Sequence, residues 1–322
     1  MVRGLSRFSS SSRLSSVAGG SPAWTEADLL REKSQMTSTD SDMTPTPRNV
    51  HIKAELLDPR SSFSNAQELL NPGNDDGETD PNIFATKIVH FQRHGQGYHN
   101  LLGDVLRDVG VRPDIFSSDP AINPWIRPEI VDSPLTELGK SQCKAQRPVA
   151  SLLHPEVVIV SPLQRAVQTA KLSFADYYAI GDHDSDGAIP WIAHEGCREE
   201  TGFLICNKRR RLSEIKADFP ELQFPSDMTE EDTVFDPSKF ESDFHKGERI
   251  YDFLVNFLAE RPEQNIAVVC HSAMLSHMCN DVLDCMGDTK LTSWFDVSEI
   301  RSMRLTFSTI DTKNENAETE LD

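Results

Sequence analysis

The sequence has no Cys-x-x-Cys pair, no His-Glu-x-x-His, and no apolar run approaching the ~18 residues of a membrane-spanning helix. Its six cysteines (Cys143, Cys197, Cys206, Cys270, Cys279 and Cys285) are scattered, which argues against a disulfide framework or a zinc knuckle and for buried free thiols. Positive charge is also scarce: 32 Lys and Arg stand against 51 Asp and Glu, a formal charge of -19. Nucleic acid and an anionic membrane would be repelled over most of such a surface, so any anionic ligand must meet a local basic pocket. No internal repeat is present, and no pattern specifies an oligomeric state.

Acids are missing from the first 24 residues, "MVRGLSRFSSSSRLSSVAGGSPAW", which hold Arg3, Arg7 and Arg13 among many serines and lack a long apolar core. That is the composition of an organelle transit peptide, which predicts a mitochondrial or plastid location; the alternative is a disordered tail on a cytoplasmic protein. Residues 1–80 alternate Ser/Thr/Pro/Asn/Asp clusters with few apolar runs, and are expected to be a mostly disordered leader with short docking turns at most. Residues 311–322 read as an acidic tail.

Between these ends, residues 81–310 alternate strand and helix signals. Strands are predicted at Lys87–Gln92, Val157–Val160, Ile189–Ala193, Ile266–Cys270 and Met303–Phe307, each short and rich in β-branched residues. Ile250, Phe253, Leu254, Phe257 and Leu258 follow helical spacing, as do Leu275, Met278, Val282 and Met286. The alternation predicts an α/β fold with a mainly parallel central sheet flanked by helices, and reactive groups at the carboxyl ends of its strands. The acidic, proline-punctuated stretch 226–243 is expected to be an insertion or lid.

Ionisable groups recur where predicted strands end. "KIVHFQRHGQGYHN" delivers Arg93 and His94; "EVVIVSPLQRAVQTA" turns at Ser161-Pro162 into a helix with Arg165 in its first turns; "AIPWIAHEGCREETG" runs into Glu195, Glu199 and Glu200; "NIAVVCHSAM" delivers His271. Together they suit phosphoryl transfer without a metal or other cofactor. A phosphate monoester, with a second pKa of about 6, is largely dianionic at neutral pH and needs about two fixed cations, which Arg93 and Arg165 supply. A neutral imidazole can carry the phosphoryl group, and His94 is the candidate nucleophile. His271 would donate to a nonbridging oxygen. Glu199 is the candidate proton donor to the leaving oxygen, with Glu200 and Glu195 as alternatives.

These motifs, in this order, resemble the histidine phosphatase superfamily, also called phosphoglycerate mutase-like proteins. "RHGQGYHN", "SPLTELGKSQCKAQ" and "CREETGFLICNKRRRLSEI" look most like its eukaryotic phosphoglycerate mutase-like (phosphomutase-like) members. The resemblance spans about residues 85–308 and implies a three-layer α/β sandwich, His94 as the phosphorylated residue, and Arg93, Arg165 and His271 as the phosphate pocket, with Gln96 and Asn100 on its rim. Gln96 and Ser272 depart from the acid or small residue and the glycine common in the family.

His90 and His94 lie four apart but on an apparent strand, and nothing else in the pattern supports a metal. His99, His194 and His277 read as ordinary surface or core histidines. Lys208-Arg209-Arg210-Arg211 is either a solvated face or a holder of a second phosphate or carboxylate, with Arg209 and Arg210 as the residues concerned. The leading expectation is a phosphatase acting on small phosphorylated metabolites. The alternatives are a mutase that returns the phosphoryl group to another hydroxyl, and an inactive regulator that only binds phosphorylated ligands.

Overall fold

The structure, a computed structural model, describes residues 24–37, 48–58, 70, 80–177 and 189–310. The arginine-and-serine segment ahead of Trp24 and the acidic tail from residue 311 lie outside the described residues. Six strands form one sheet: β1 (Val50–Leu57), β2 (Ile83–Arg93), β3 (Val157–Val160), β4 (Trp191–Ala193), β5 (Asn265–Cys270) and β6 (Ile300–Thr309), in the order β1-β6-β2-β5-β3-β4. Pairings β2–β5, β5–β3 and β3–β4 are parallel, and β6 runs antiparallel to both β2 and β1.

The central strands are apolar on both faces because helices cover both. Val157 and Ile159 enter one core with Phe253, Leu254 and Met278; Val158 and Val160 enter the other with Val167, Phe174 and Ile215. The second core is closed by α3 (Glu137–Ala150), α4 (Gln164–Ser173) and α5 (Leu212–Asp218). The first is closed by α6 (Asp243–Asp252), which continues as a π-helical turn over Phe253–Leu258, and by α7 (Ser272–His277), which continues likewise over Met278–Val282. The result is the expected α/β three-layer arrangement. Two other helices, α1 (Glu26–Thr37) and α2 (Tyr98–Asp108), meet at a smaller cluster of Trp24, Leu29, Ile115, Trp125 and Cys206. All six cysteines are free and buried.

Several expectations need correction. The leader is not wholly outside the fold: β1 alternates strictly, with Val50, Ile52 and Ala54 buried in the core and His51, Lys53 and Glu55 turned outward. Burying side chains such as Val and Ile contributes about 1.5–3 kcal/mol each, so this edge strand belongs to the domain. Helix α1 is a second ordered element inside the same stretch. Met286 is not on the apolar stripe of α7; it lies past the helix at φ 52° and is exposed. Ser161-Pro162 does not open α4 directly. That helix begins at Gln164, whose N–H donates to Asp132 Oδ1 at 2.7 Å.

Parallel register aligns the ends of the central strands. His94 N donates to Cys270 O (3.0 Å), Ser161 N to Val269 O (3.1 Å) and His194 N to Val160 O (2.9 Å), so the residues after β2, β3, β4 and β5 share one edge.

Candidate active site

At that edge, β2 hands over to His94-Gly95. Gly95 N donates to Thr169 Oγ1 on α4 (3.0 Å), and a side chain at Gly95 would run into Cys143 Sγ and Gly139 O on α3. Gly139 in turn lies against the Gln96 backbone with no room for a Cβ, and Gln96 N is tied to Gln142 Oε1 at 2.9 Å. The loop carrying His94 is therefore clamped between the sheet and two helices.

His94 is 1% exposed. Its Nδ1 lies 2.7 Å from Gly95 O, and because a carbonyl only accepts, Nδ1 carries the proton. The lone pair is left on Nε2, where Arg165 Nε donates to it at 3.3 Å. Burial, then the charges of Arg165 and Arg93, hold the ring pKa well below its ordinary value, so His94 is a neutral imidazole. His271 stands with its ring centroid 5.0 Å away; its Nε2 pairs with Ser161 Oγ at 2.8 Å and its Nδ1 has no hydrogen-bond partner among the described residues. Burial, then Arg165 and His94, keep it neutral too.

The two cations are buried beside this pair. Arg93 donates from Nη1 to Phe295 O (2.9 Å) and lies 5.7 Å from the Trp294 ring centroid. Arg165 donates from Nη1 to Cys206 O (2.9 Å) and from Nη2 to Asn207 Oδ1 (2.8 Å). Asn207 is itself placed by Arg198, which donates to Asn207 O (2.8 Å) while pairing with Asp232 and Glu195. An unbroken chain of polar contacts thus runs from Asp232 through Arg198 and Asn207 to Arg165 and His94.

Of the three candidate acids, Glu199 lies against the segment that follows His271. Its oxygens accept from Ala273 N (3.3 Å), Met274 N (3.2 Å), Glu200 N (3.0 Å) and Ser272 Oγ (3.4 Å), at the start of α7 immediately after His271. Glu200 is paired with Lys246 at 3.1 Å and with Lys33 of α1. Glu195 is paired with Arg198 and Arg209, each at 2.9 Å.

The rim differs from expectation. Arg209 is 2% exposed, and its donors are spent on Glu195 and on the carbonyls of Thr229, Glu230, Glu231 and Arg210. Arg210 pairs with Asp132 (3.0 Å) and Asp218 (2.7 Å). Arg209 ties down the acidic loop 226–243 and Arg210 the turn at Asp132, so both cations are engaged by carboxylates of the same chain. Gln96 donates to Asp104 (2.8 Å) and accepts from Thr136 Oγ1 (2.8 Å), which makes it an internal strut. Asn100 accepts from Gly97 N (3.0 Å) and lines a cavity of about 100 Å³ next to Glu199. His99 lines that cavity too, its ring centroid 5.4 Å from that of His94; burial, then Arg165 and His94, lower its pKa. His99, Ser161, Arg198 and Asn207 all lie inside the motifs quoted from the sequence, but His99 reads there as an ordinary histidine, and contacts that only the fold makes bring the other three to the site. His90 belongs to β2 instead, its ring nitrogens held by Ser302 and Asn265, both at 2.7 Å.

The profile of the Histidine phosphatase superfamily (branch 1) matches residues 128–306. The chain belongs to the histidine phosphatase superfamily. It is 31% identical over 251 residues to a "Phosphoglycerate mutase-like protein" of Arabidopsis thaliana, covering 69% of this chain and 85% of the relative. It is 32% identical over 246 residues to "Phosphoglycerate mutase-like protein 1" of the same plant, covering 69% and 82%. A Schizosaccharomyces pombe protein named "Probable phosphatase" is 27% identical over 189 residues, covering 58% and 74%. The matched region begins after the Arg93-His94-Gly95 turn, which the parallel register brings to the same sheet edge as His271.

Proposed function

We propose that the chain is a phosphoric monoester hydrolase that acts on small phosphorylated metabolites through a phosphohistidine on Nε2 of His94, without a metal. The observation that carries this reading is the state of His94: a neutral ring with Nδ1–H fixed on Gly95 O and its lone pair on Nε2, between two buried guanidiniums. In the first step the Nε2 lone pair attacks phosphorus and the ester P–O bond breaks. Arg93 and Arg165 stabilise the charge on the phosphoryl oxygens, and His271 supports it. The leaving oxygen takes a proton from Glu199. In the second step Glu199 receives a proton from water, the water oxygen attacks phosphorus, and the P–N bond breaks to release phosphate.

Glu199 has to change protonation state for this cycle. It gives up one proton in the first step and takes one back in the second, so it ends the cycle as it began. Turnover of a panel of sugar phosphates, glycerate phosphates and nucleotides, with and without EDTA, tests the reading. The expected result is free phosphate from at least one ester at a rate EDTA does not change. Loss of activity in EDTA with recovery on Mg²⁺ or Zn²⁺ contradicts the metal-free route. An isomeric monoester in place of free phosphate supports the mutase alternative, and binding without release supports the regulator.

A further inference from the structure

Helix α1 is not an incidental attachment. Thr25 and Asp28 set its start by reciprocal bonds, Thr25 Oγ1 accepting from Asp28 N (3.1 Å) and Asp28 accepting from Thr25 N (2.7 Å). The helix is then pinned onto the edge of the site. Lys33, with its side chain 1% exposed, forms an ion pair with Glu200, the residue next to the candidate proton donor, and its Nζ lies 4.8 Å from the Phe240 ring centroid. Arg107 of α2 stacks 5.1 Å from the centroid of Trp24, and Arg112 pairs with Glu32. Trp24 and Leu29 are 3% and 6% exposed.

These two residues face Glu199 and His99 across a half-open space. Trp24 and Leu29 form one side of the cavity of about 100 Å³ whose other side holds His99, Asn100, Glu199 and Asn207. A second cavity, of about 270 Å³, lies beyond the helix and is lined by Ala27, Arg31, Lys246 and Trp294. Glu200 and Ala273 border both, so α1 divides what would otherwise be a continuous groove beside Glu199. The proton donor to a leaving oxygen must touch that oxygen, so the organic part of an ester lies on the Glu199 side of His94. There the room is well below the ~300–1,000 Å³ of ordinary ligand pockets.

We propose that α1, through Trp24 and Leu29, is the specificity wall of this site and confines it to phosphomonoesters with a small organic group. This rests on the phosphatase reading for the identity of the ligand, and on the two cavities for its size. A hydrophobic pocket discriminates about 10-fold or more per methylene, so truncating either side chain changes which esters fit.

The test is calorimetric binding of methylphosphonate, phenylphosphonate and naphthylphosphonate to the full-length chain and to its Trp24→Ala and Leu29→Ala variants. Thermal melts report folding of each, and the Leu29 variant carries the test if the Trp24 variant does not fold. The expected result is a naphthyl-to-methyl affinity ratio at least tenfold higher in a folded variant than in the unchanged chain. An unchanged ratio overturns the wall. So does an equal rise for all three ligands, which would mark α1 as a plug that shuts out every ligand, and so does failure of any phosphonate to bind. Because binding needs no turnover, a size-dependent shift in a chain that releases no phosphate retains the wall and removes the hydrolase.

Discussion

At the scale of single residues, the chemistry divides along the Glu199-Glu200 pair. Adjacent side chains in an extended segment point to opposite sides, which sequence alone could not orient here. The structure turns Glu199 to the start of α7 beside His271 and Glu200 to Lys246 and Lys33. Glu199→Gln should therefore slow alkyl phosphates far more than aryl phosphates in the burst phase, since a basic leaving oxygen depends most on a proton donor. Glu200→Gln should show no such dependence but should lower stability, because two nearly buried lysines lose a charged partner; breaking such a pair costs on the order of 3–5 kcal/mol. Burst kinetics with both leaving groups, alongside denaturant melts, check this. An equal loss for both esters in Glu199→Gln, or a leaving-group effect in Glu200→Gln, contradicts it. Arg93, His94 and His271 were legible because each stands at or just past the end of a strand. Arg198 and Asn207 were not, since their role depends on contacts between segments that only the fold brings together.

At the scale of elements, the central strands were readable because burial on both faces leaves runs such as Val157–Val160 with no polar residue. β1 was harder. It is an edge strand with one face in the core, so half of "VHIKAELL" is polar, and it sits among polar neighbours that hide the period of two. The antiparallel placement of β6 between β1 and β2 also has no local signature, and it is why the sheet is mixed. The run Lys208–Arg211 left two readings open, a solvated face and a holder of a second anionic group. Yet Arg209 and Arg210 serve carboxylates and carbonyls of the same chain, and a charge run says nothing about where its counterions come from.

At the scale of the whole molecule, four buried neutral histidines, three of them grouped at the site, link pH to stability. His90, His94, His99 and His271 all have pKa values lowered chiefly by burial, His90 to about 4. Above the unfolded value of about 6.5 neither state is protonated and the fold keeps its full stability. As pH falls from about 6.5 towards and through the folded values, the unfolded chain binds protons that the fold refuses, and each histidine removes up to ~1.4 kcal/mol per pH unit. Denaturant titrations at pH 7.5, 6 and 5 should show unfolding midpoints that drop steeply over the last two. A midpoint constant from 7.5 to 5 would contradict the neutral state of these histidines.

The central claim, a phosphohistidine on Nε2 of His94, is tested most directly by trapping. Incubation with a small phosphomonoester, quenching in alkali to preserve the P–N bond, and peptide mass spectrometry with ³¹P NMR locate the phosphoryl group and the ring nitrogen that carries it. With Nδ1–H held on Gly95 O, the expected result is phosphate on His94, on Nε2, and none in His94→Asn. Phosphate on Nδ1, on another residue, or still present in His94→Asn would contradict it.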